Sequence, residues 1–461
     1  MLTYELKKNP GMPLYEVLYR GIREDILSGK LAPGQKLPSK RALAAHLEVS
    51  RVTVEGAYDQ LLAEGFIRSV ERVGYFAEAV QRGSTPAPDR GKPAQTPAFP
   101  VDLTTNASTD FPFSVWSRLQ RQVMLDLQEK LLLPMPNRGI WELRRAIADH
   151  LASFRGLRVD PDNILVGAGT DFLYNLLIQL LGRDKTYAVE EPGYGKIRRI
   201  YAAGGVRCVN APLDGQGVSP ESLGDANVLH ISPSHHFPTG LVTPMSRRRE
   251  LLDWVAEQPD RWIIEDDYDS EFRFTAHPMP TLGSMDRTGR VIYMNTFSKT
   301  LAPSIRISYM VLSPELMDRF QRELGFYSCT VPSFEQYTLA RFLGEGHFEK
   351  HINRMRKAYR QRRNAVAAAL VESPLGGGMK LLEQDAGLHF LLRLNTDLPD
   401  GELEARFAGA GIRVLTLSHY YHGPVPEEDR HCLVINYSGL RPEQIARLGQ
   451  ILQTVELQTG T

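Results

Sequence analysis

Lys299 lies in the run Asn295-Thr296-Phe297-Ser298-Lys299-Thr300-Leu301-Ala302-Pro303-Ser304-Ile305-Arg306. A lysine just past an apolar strand (Val291, Ile292, Tyr293), flanked by hydroxyls and followed by an arginine, suits an aldehyde cofactor that carries a phosphate. The amine forms a Schiff base, and the hydroxyls and guanidinium hold the phosphate. A lysine alone is more often a solvated surface residue, so the assignment rests on three further stretches.

Trp262-Ile263-Ile264-Glu265-Asp266-Asp267-Tyr268-Asp269 is an apolar strand ending in carboxylates and a phenol. A carboxylate beside a pyridine nitrogen keeps it protonated, and a phenol can hydrogen-bond a ring oxygen. Solvated acids capping a strand are the plain alternative, although ligands also gather at the carboxyl ends of parallel strands. In Ile164-Leu165-Val166-Gly167-Ala168-Gly169-Thr170-Asp171 a strand meets a glycine-bearing turn. The helix that follows (Leu173, Leu176, Leu177, Leu180, Leu181) presents free N–H groups at its start, an anion site. Glu190-Glu191-Pro192-Gly193-Tyr194 again follows a strand, and Tyr194 can lie flat on an aromatic ring. Each signal is weak alone: a tight turn and a surface tyrosine explain the last two equally well.

Taken in order, these strand-end motifs resemble the fold-type I pyridoxal-phosphate (PLP) aminotransferases over roughly residues 100–455. The resemblance implies Lys299 as the Schiff-base lysine, Asp266 as partner of the pyridinium nitrogen and Tyr268 as partner of the 3-oxygen, the three catalytic positions. Tyr194 stacks on the ring, and Ala168, Gly169, Thr170, Thr296, Ser298 and Arg306 form the phosphate cup. Ser232-Pro233-Ser234-His235-His236-Phe237-Pro238-Thr239-Gly240 matches the family's Pro-Thr-Gly turn, and Pro136 to Arg144 matches the segment leading into its Gly-x-x-x-Leu-Arg helix. The family's asparagine before Pro-Thr-Gly is here Phe237, so His235 or His236 is expected in its place, with His236 among the cofactor contacts. A tyrosine that often touches the neighbouring subunit's phosphate is replaced by Pro134. The arginine that holds a substrate carboxylate aligns with Val434, leaving Arg430 or Arg413 as substitutes.

The amino terminus carries a different set of elements. Leu14, Leu18, Ile22 and Ile26 predict an amphipathic helix over 12–28, stopped by Gly29. Ser39 caps a short second helix with Leu43, Ala44 and Leu47 inside. Ser50 caps a third, Arg51 to about Ala63, burying Val54, Ala57, Leu61 and Leu62. Phe66–Val70 and Val73–Phe76 alternate around Glu71-Arg72 as a hairpin. Three helices and a hairpin make a winged helix-turn-helix, and residues 12–80 resemble the GntR type. A small helical cap on an enzyme is the competing view. The resemblance places Arg41, Ser50, Arg51 and Thr53 on DNA, with the wing at Gly74 reaching a groove edge. Glu55 departs from the cation often found there.

Residues 81–99, Pro/Gly/Ser-rich and without apolar periodicity, read as a linker. The fold class is therefore a winged helix (12–80) followed by an α/β aminotransferase-like domain (100–455). Its large part is expected at about 130–320 and its small part at about 321–455. Lys+Arg and Asp+Glu are 54 each, so DNA affinity must come from a local patch and from dimerisation. Three scattered cysteines give neither a disulfide frame nor a metal spacing, and adjacent His235-His236 lack companion ligands, so no metal is expected. No signal peptide and no apolar run near the ~20 residues of a membrane span are present, which places the chain in the cytoplasm.

The two resemblances in this order identify the chain as a member of the MocR type of GntR-superfamily regulators. The family implies a homodimer that holds PLP, binds operator DNA and senses an amine, an amino acid or the cofactor itself. With Val434 in the arginine's place, weak or no transaminase turnover is expected. The alternative is an active aminotransferase with an accessory DNA-binding domain.

Overall fold

Hydrophobic spacing along the first 79 residues closes a small core on its own. The computed structural model describes residues 2–4, 12–79, 99–105, 110–274, 279–383 and 387–455. Its contacts divide the chain into two units, Met1–Thr96 and Pro97–Thr461. In the first, helices α1 (Leu14–Leu27), α2 (Lys40–His46) and α3 (Arg51–Ala63) precede strands β1 (Ile67–Val70) and β2 (Gly74–Ala77). The strands pair antiparallel, Ile67 opposite Ala77 and Val70 opposite Gly74. Leu18, Ile22, Leu43, Val54, Ala57 and Leu61 are buried together, while Leu14, Leu47 and Leu62 stay partly exposed. Tyr58 is buried in their company because its hydroxyl donates to Pro38 O at 2.9 Å. Ser39 and Ser50 cap α2 and α3 by accepting from Ala42 N and Thr53 N. Of the expected linker 81–99, all but Phe99 lies outside the described residues.

The second unit opens with β3 (Val101–Asp102), α4 (Phe113–Leu127) and α5 (Trp141–Phe154). A β/α succession follows: β4 (Ile164–Gly167), α6 (Thr170–Leu181), β5 (Thr186–Glu191), α7 (Gly195–Ala203), β6 (Arg207–Asp214), β7 (Gly217–Val218), β8 (Val228–Ile231) and α8 (Met245–Glu257). Next come β9 (Trp262–Asp266), α9 (Leu282–Met285), β10 (Val291–Thr296), the single turn α10 (Phe297–Thr300) and β11 (Ser308–Val311). These strands form one eight-stranded sheet in the order β4-β11-β10-β9-β8-β5-β6-β7. Only β11 and the short β7 run against the rest. The near-continuous apolar strands reflect burial on both faces. Leu173, Leu177 and Leu180 of α6 join one face cluster, and Leu251 and Val255 of α8 join another.

Helices α11 (Pro314–Leu324), α12 (Ser333–Gly344) and α13 (His347–Val371) lead to the second, smaller sheet. It is built from β12 (Met379–Leu382), β13 (His389–Leu394), β15 (Leu415–Thr416) and β16 (Cys432–Asn436), in the order β12-β13-β16-β15. Helix α14 (Asp400–Gly409) and strand β14 (Ile412–Arg413) lie between, and α15 (Pro442–Leu452) follows. β14 pairs with β3, Ile412 opposite Val101, so the start of this unit packs with its smaller part.

The register of β9 divides two neighbouring acids. Asp267 turns away from the carboxyl-end crevice, 2.9 Å from Arg155 Nε and 2.7 Å from the Tyr293 hydroxyl, which donates to it. Both partners of that ion pair are buried. Removing one partner of a buried pair strands the other charge, at about 3–5 kcal/mol. Asp267→Ala should therefore lower unfolding free energy by that order in a urea titration.

Candidate functional site

The six parallel strands of the large sheet end at one edge, and the order changes there, with β5 and β8 on one side and β10 and β4 on the other. Such a switch point opens a crevice at the carboxyl ends of the strands. It holds a cavity of about 360 Å3, within the ~300–1,000 Å3 usual for small-molecule sites. Lys299, Asp266, Tyr268, Tyr194, Thr170, Thr296, Ser298 and Arg306 all line it. Residues as far apart in sequence as Thr104 and His422 thus share one cleft.

Asp266 accepts a hydrogen bond from the Tyr174 hydroxyl through Oδ2, and His230 Nε2 stands 3.5 Å from the same oxygen. Its Oδ1 is buried without a partner among the described residues. A buried carboxylate oxygen left this way needs a donor, and a protonated ring nitrogen is one. Lys299 sits on α10 just after β10, and burial lowers its pKa while Asp269 opposes that. A neutral amine is the form that attacks an aldehyde. The Tyr268 hydroxyl lies 3.3 Å from His235 Nδ1, and that nitrogen is 2.8 Å from Asp269 Oδ2. Burial, then Asp269, push the phenol well above its usual range, so it stays protonated. Tyr194 is half exposed at the mouth, edge-on to Phe237 with centroids 6.0 Å apart.

The phosphate side is narrower than the sequence suggested. Gly169 adopts φ +90°, and a Cβ there would meet the Arg306 guanidinium at 2.0 Å, so only glycine admits this arginine. Ala168 and Gly169 are not on the cleft wall. Their N–H groups are taken by Thr330 Oγ1 at 2.9 Å and Gly167 O at 2.8 Å, which leaves the start of α6 from Thr170 onward to face the cleft. Thr296 Oγ1 accepts from Ser298 N and from Ser308 Oγ, whereas Ser298 Oγ is buried with no partner among the described residues. Unpartnered Asp266 Oδ1 and Ser298 Oγ, flanking a buried amine and an arginine, fit a phosphorylated pyridine aldehyde.

His236 is not among the residues that line the cleft; its Nδ1 is 2.7 Å from Thr239 Oγ1 and its Nε2 3.6 Å from Glu190. Burial lowers it to about 3, so it is neutral. Between the two histidines, His235 is the one beside Tyr268. Arg430 pairs with Glu427 at 2.8 Å and Arg413 with Asp102 at 3.7 Å, and neither lines the cleft. Val434 and Phe237, the two departures, meet in one apolar cluster with Leu391 and Leu417.

Sequence reasoning missed Tyr174, His230 and Glu190. The first two sit inside a helix and a strand with no motif to mark them. Burial, with Asp266 adding to it, raises Glu190 to about 8 against the donation from Ser232 N.

On the first unit, Arg41 and Arg51 are exposed. Ser50 Oγ and Thr53 Oγ1 are 2.8 Å apart, tied into the α3 cap. Arg51 Nε donates to Glu55 Oε1 at 3.0 Å, so the departure at Glu55 serves as a partner for Arg51. Gly74, at φ +133°, opens β2 against Lys36. Val52, between Arg51 and Thr53, is 74% exposed, a feature the sequence did not single out.

The family profile "Aminotransferase class I and II" matches residues 100–451, and "Bacterial regulatory proteins, gntR family" matches residues 14–76. The uncharacterized HTH-type transcriptional regulator YhdI of Bacillus subtilis is 37% identical over 97% of this chain and 96% of its own. The probable rhizopine catabolism regulatory protein MocR of Rhizobium meliloti is 32% identical over 95% and 92%. The pyridoxine biosynthesis transcriptional regulator PdxR of Corynebacterium glutamicum is 33% identical over 87% of each chain. Among solved structures, kynurenine aminotransferase of Pyrococcus horikoshii, crystallised with PMP, superposes with a TM-score of 0.69 at 25% identity, covering 78% of this chain and 91% of that one.

Two outcomes follow for the cleft. Asp266→Asn should weaken PLP binding by about 1.5–3 kcal/mol, the worth of a hydrogen bond to a charged group, and leave apo-protein stability near wild type; equilibrium dialysis and urea melts separate the two. Glu190 keeps its proton in the fold up to about pH 8, while the unfolded chain loses it near pH ~4.3. Between those values the unfolded state binds fewer protons, so this group's contribution to stability falls as pH rises. Glu190→Gln should gain on wild type by up to about 1.4 kcal/mol per pH unit over that window, read from urea midpoints at pH 5, 6 and 7.

Proposed function

Since the chain belongs to the MocR-type regulators of the GntR superfamily, we propose that its aminotransferase-like domain senses a small amine, an amino acid or PLP itself and modulates binding of operator DNA by the winged helix. The protein is an HTH-type transcriptional regulator with an aminotransferase-like domain, and its cofactor is pyridoxal 5′-phosphate. It acts as a homodimer in the cytoplasm; no described helix is long and apolar enough to cross a membrane. The observation that carries the sensing function is the cleft itself: a complete cofactor set beside an apolar cluster, Val434 and Phe237, where a substrate carboxylate is normally held.

When bound, PLP supplies an aldehyde for which Lys299 and an incoming amine compete, and a ring that withdraws electrons. The chain's own residues do the rest. Asp266 Oδ1 would accept from the protonated ring nitrogen, with Tyr174 and His230 orienting the carboxylate. Tyr268, beside the His235 that Asp269 holds, would donate to the 3-oxygen. Ser298, Arg306 and the start of α6 would hold the phosphate, and Tyr194 would cover the ring.

The readout begins at the mouth of the cleft. His422 lines it, and the N–H groups of His422 and Gly423 donate to Glu191 Oε1 at 2.7 and 2.6 Å, while Gly193 N donates to Tyr420 O at 3.1 Å. The segment before β16 is thus tied to the end of β5, so a ligand that moves the wall at Gly193–Tyr194 moves the smaller part. A ligand biases DNA binding only by its difference in affinity between two such states.

The second reading, a working aminotransferase, draws on the same intact cofactor set. Purified protein should show the visible absorbance of bound PLP, lose it on Lys299→Ala without loss of fold, and change it with particular amines. Turnover of common amino acids with 2-oxo acids at roughly 1 per second or faster, within the enzyme range, would favour the enzyme. On the DNA side, Arg51→Ala should cost roughly 1–3 kcal/mol of operator affinity if it reads a base, with the PLP spectrum unchanged, in a mobility-shift series.

A further inference from the structure

The winged helix is poorly charged for its partner. Residues 12–79 contain nine Lys/Arg and nine Asp/Glu, a net charge of zero. Five of those nine cations are already paired within the unit, Arg20–Glu16, Lys30–Asp25, Lys40–Asp59, Arg51–Glu55 and Arg68–Glu78. Counterion release from neutralised phosphates supplies most non-specific affinity for DNA, and proteins that bind well make about 6–10 such contacts. This reader has few uncommitted cations to make them with.

The missing charge is concentrated on α13. Residues 349–363 hold seven Lys/Arg and a single acid, Glu349, in a chain whose charges balance overall. The cations divide by face. Arg356 donates to Glu271 O at 2.6 Å and Arg362 to Ser438 O at 2.6 Å, fastening the helix to its own domain. Lys350, Arg354, Lys357 and Arg360 are exposed, and Arg354 Nη2 also reaches Asp110 O at 3.4 Å and His351 Nδ1 at 3.0 Å. Their spacing of four, three and three residues puts them on one stripe, about 15 Å long at 1.5 Å per residue. No carboxylate pairs with any of the four among the described residues. Like charges three and four apart destabilise a helix, so the stripe is a cost unless an anion covers it.

We propose that this exposed face of α13 is a second DNA-backbone contact, one that reads phosphates and no bases. The occupant is duplex DNA on either side of the operator half-sites. At 3.4 Å of axis per phosphate on each strand, a 15 Å stripe faces about four phosphates per strand, enough to engage all four cations. The proposal rests on the chain being a DNA-binding regulator, and it assigns the electrostatic share of that binding to the aminotransferase-like unit.

The test uses the full PLP-loaded protein and duplexes selected from a random library. The same half-sites are placed in a duplex of ~20 bp and in one of ~60 bp with arbitrary flanks. Wild type is expected to bind the longer duplex at least about tenfold tighter and to protect flanking backbone in a hydroxyl-radical footprint. Lys350→Gln/Lys357→Gln/Arg360→Gln should lose that advantage and lower the salt slope on the long duplex by about 2.7, at 0.9 per phosphate. The charge-retaining Lys350→Arg/Lys357→Arg should behave as wild type. Unchanged PLP absorbance and melting temperature report an intact fold. Equal affinity for both duplexes with no flank protection by wild type, or a wild-type slope in the triple variant, overturns the α13 contact alone. A full chain that binds neither duplex overturns the contact and the regulator reading together. A triple variant that changes only dimerisation would show that a second copy of the chain covers the stripe and would overturn the proposal.

Discussion

Everything in the cleft depends on one carboxylate that the protein itself does not satisfy. Asp266 ends β9 and Asp267 follows it, and the alternation of extended chain sends them to opposite sides. Asp267 is held through Oδ2 by Arg155 and Tyr293 and serves the fold, although its Oδ1, too, is buried without a partner among the described residues. Asp266 is oriented by Tyr174 and His230, and its Oδ1, which faces no donor among the described residues, belongs to a carboxylate that lines the cleft. Burying such an atom is costly unless something completes it. That demand selects a ligand bearing a protonated nitrogen. Lys299, Ser298 and Arg306 line the same cleft, an amine, a hydroxyl and a guanidinium.

The cleft gathers side chains expected to hold a cofactor, whereas Val434 stands at the position where an arginine for a substrate carboxylate is expected. Val434 and Phe237 replace an expected arginine and asparagine independently in the sequence, yet the fold brings them into a single apolar cluster. A site that binds the cofactor's reactive end but holds substrates loosely is suited to registering an amine. The bonds from Glu191 and Gly193 to the segment Tyr420–Gly423 give the cleft wall a mechanical link to the smaller sheet.

Much of this was legible in the sequence for a physical reason. Parallel strands end at one edge, so motifs at strand ends converge even when widely separated in the chain, and Lys299, Asp266, Tyr268 and Tyr194 did so. The caps Ser39 and Ser50 fixed where α2 and α3 begin. What the sequence hid was the orientation of groups inside regular elements. Tyr174 on α6 and His230 on β8 follow the apolar period of their elements and read as core. Ala168 and Gly169 looked like phosphate donors, but Thr330 and the Gly167 carbonyl take their N–H groups. The choice between His235 and His236 turns on side-chain direction, which adjacent residues in a turn do not announce. The pairing of Arg51 with Glu55 follows from helical i,i+4 spacing and was open to reading, had Glu55 been weighed as a partner of Arg51 as well as a threat to phosphate.

The central claim is that one ligand in the cleft and one DNA duplex on the winged helix bias the same pair of states. Thermodynamic linkage makes that claim reciprocal: if an amine changes operator affinity by some factor, the operator must change amine affinity by the same factor. The direct measurement is a paired titration of the PLP-loaded full chain. Amine binding is followed by cofactor absorbance with and without saturating operator, and operator binding by anisotropy with and without saturating amine. Equal coupling factors, typically about 5–150-fold, are the predicted result. A factor of one in both directions, for every amine that perturbs the cofactor spectrum and for PLP itself, would contradict it.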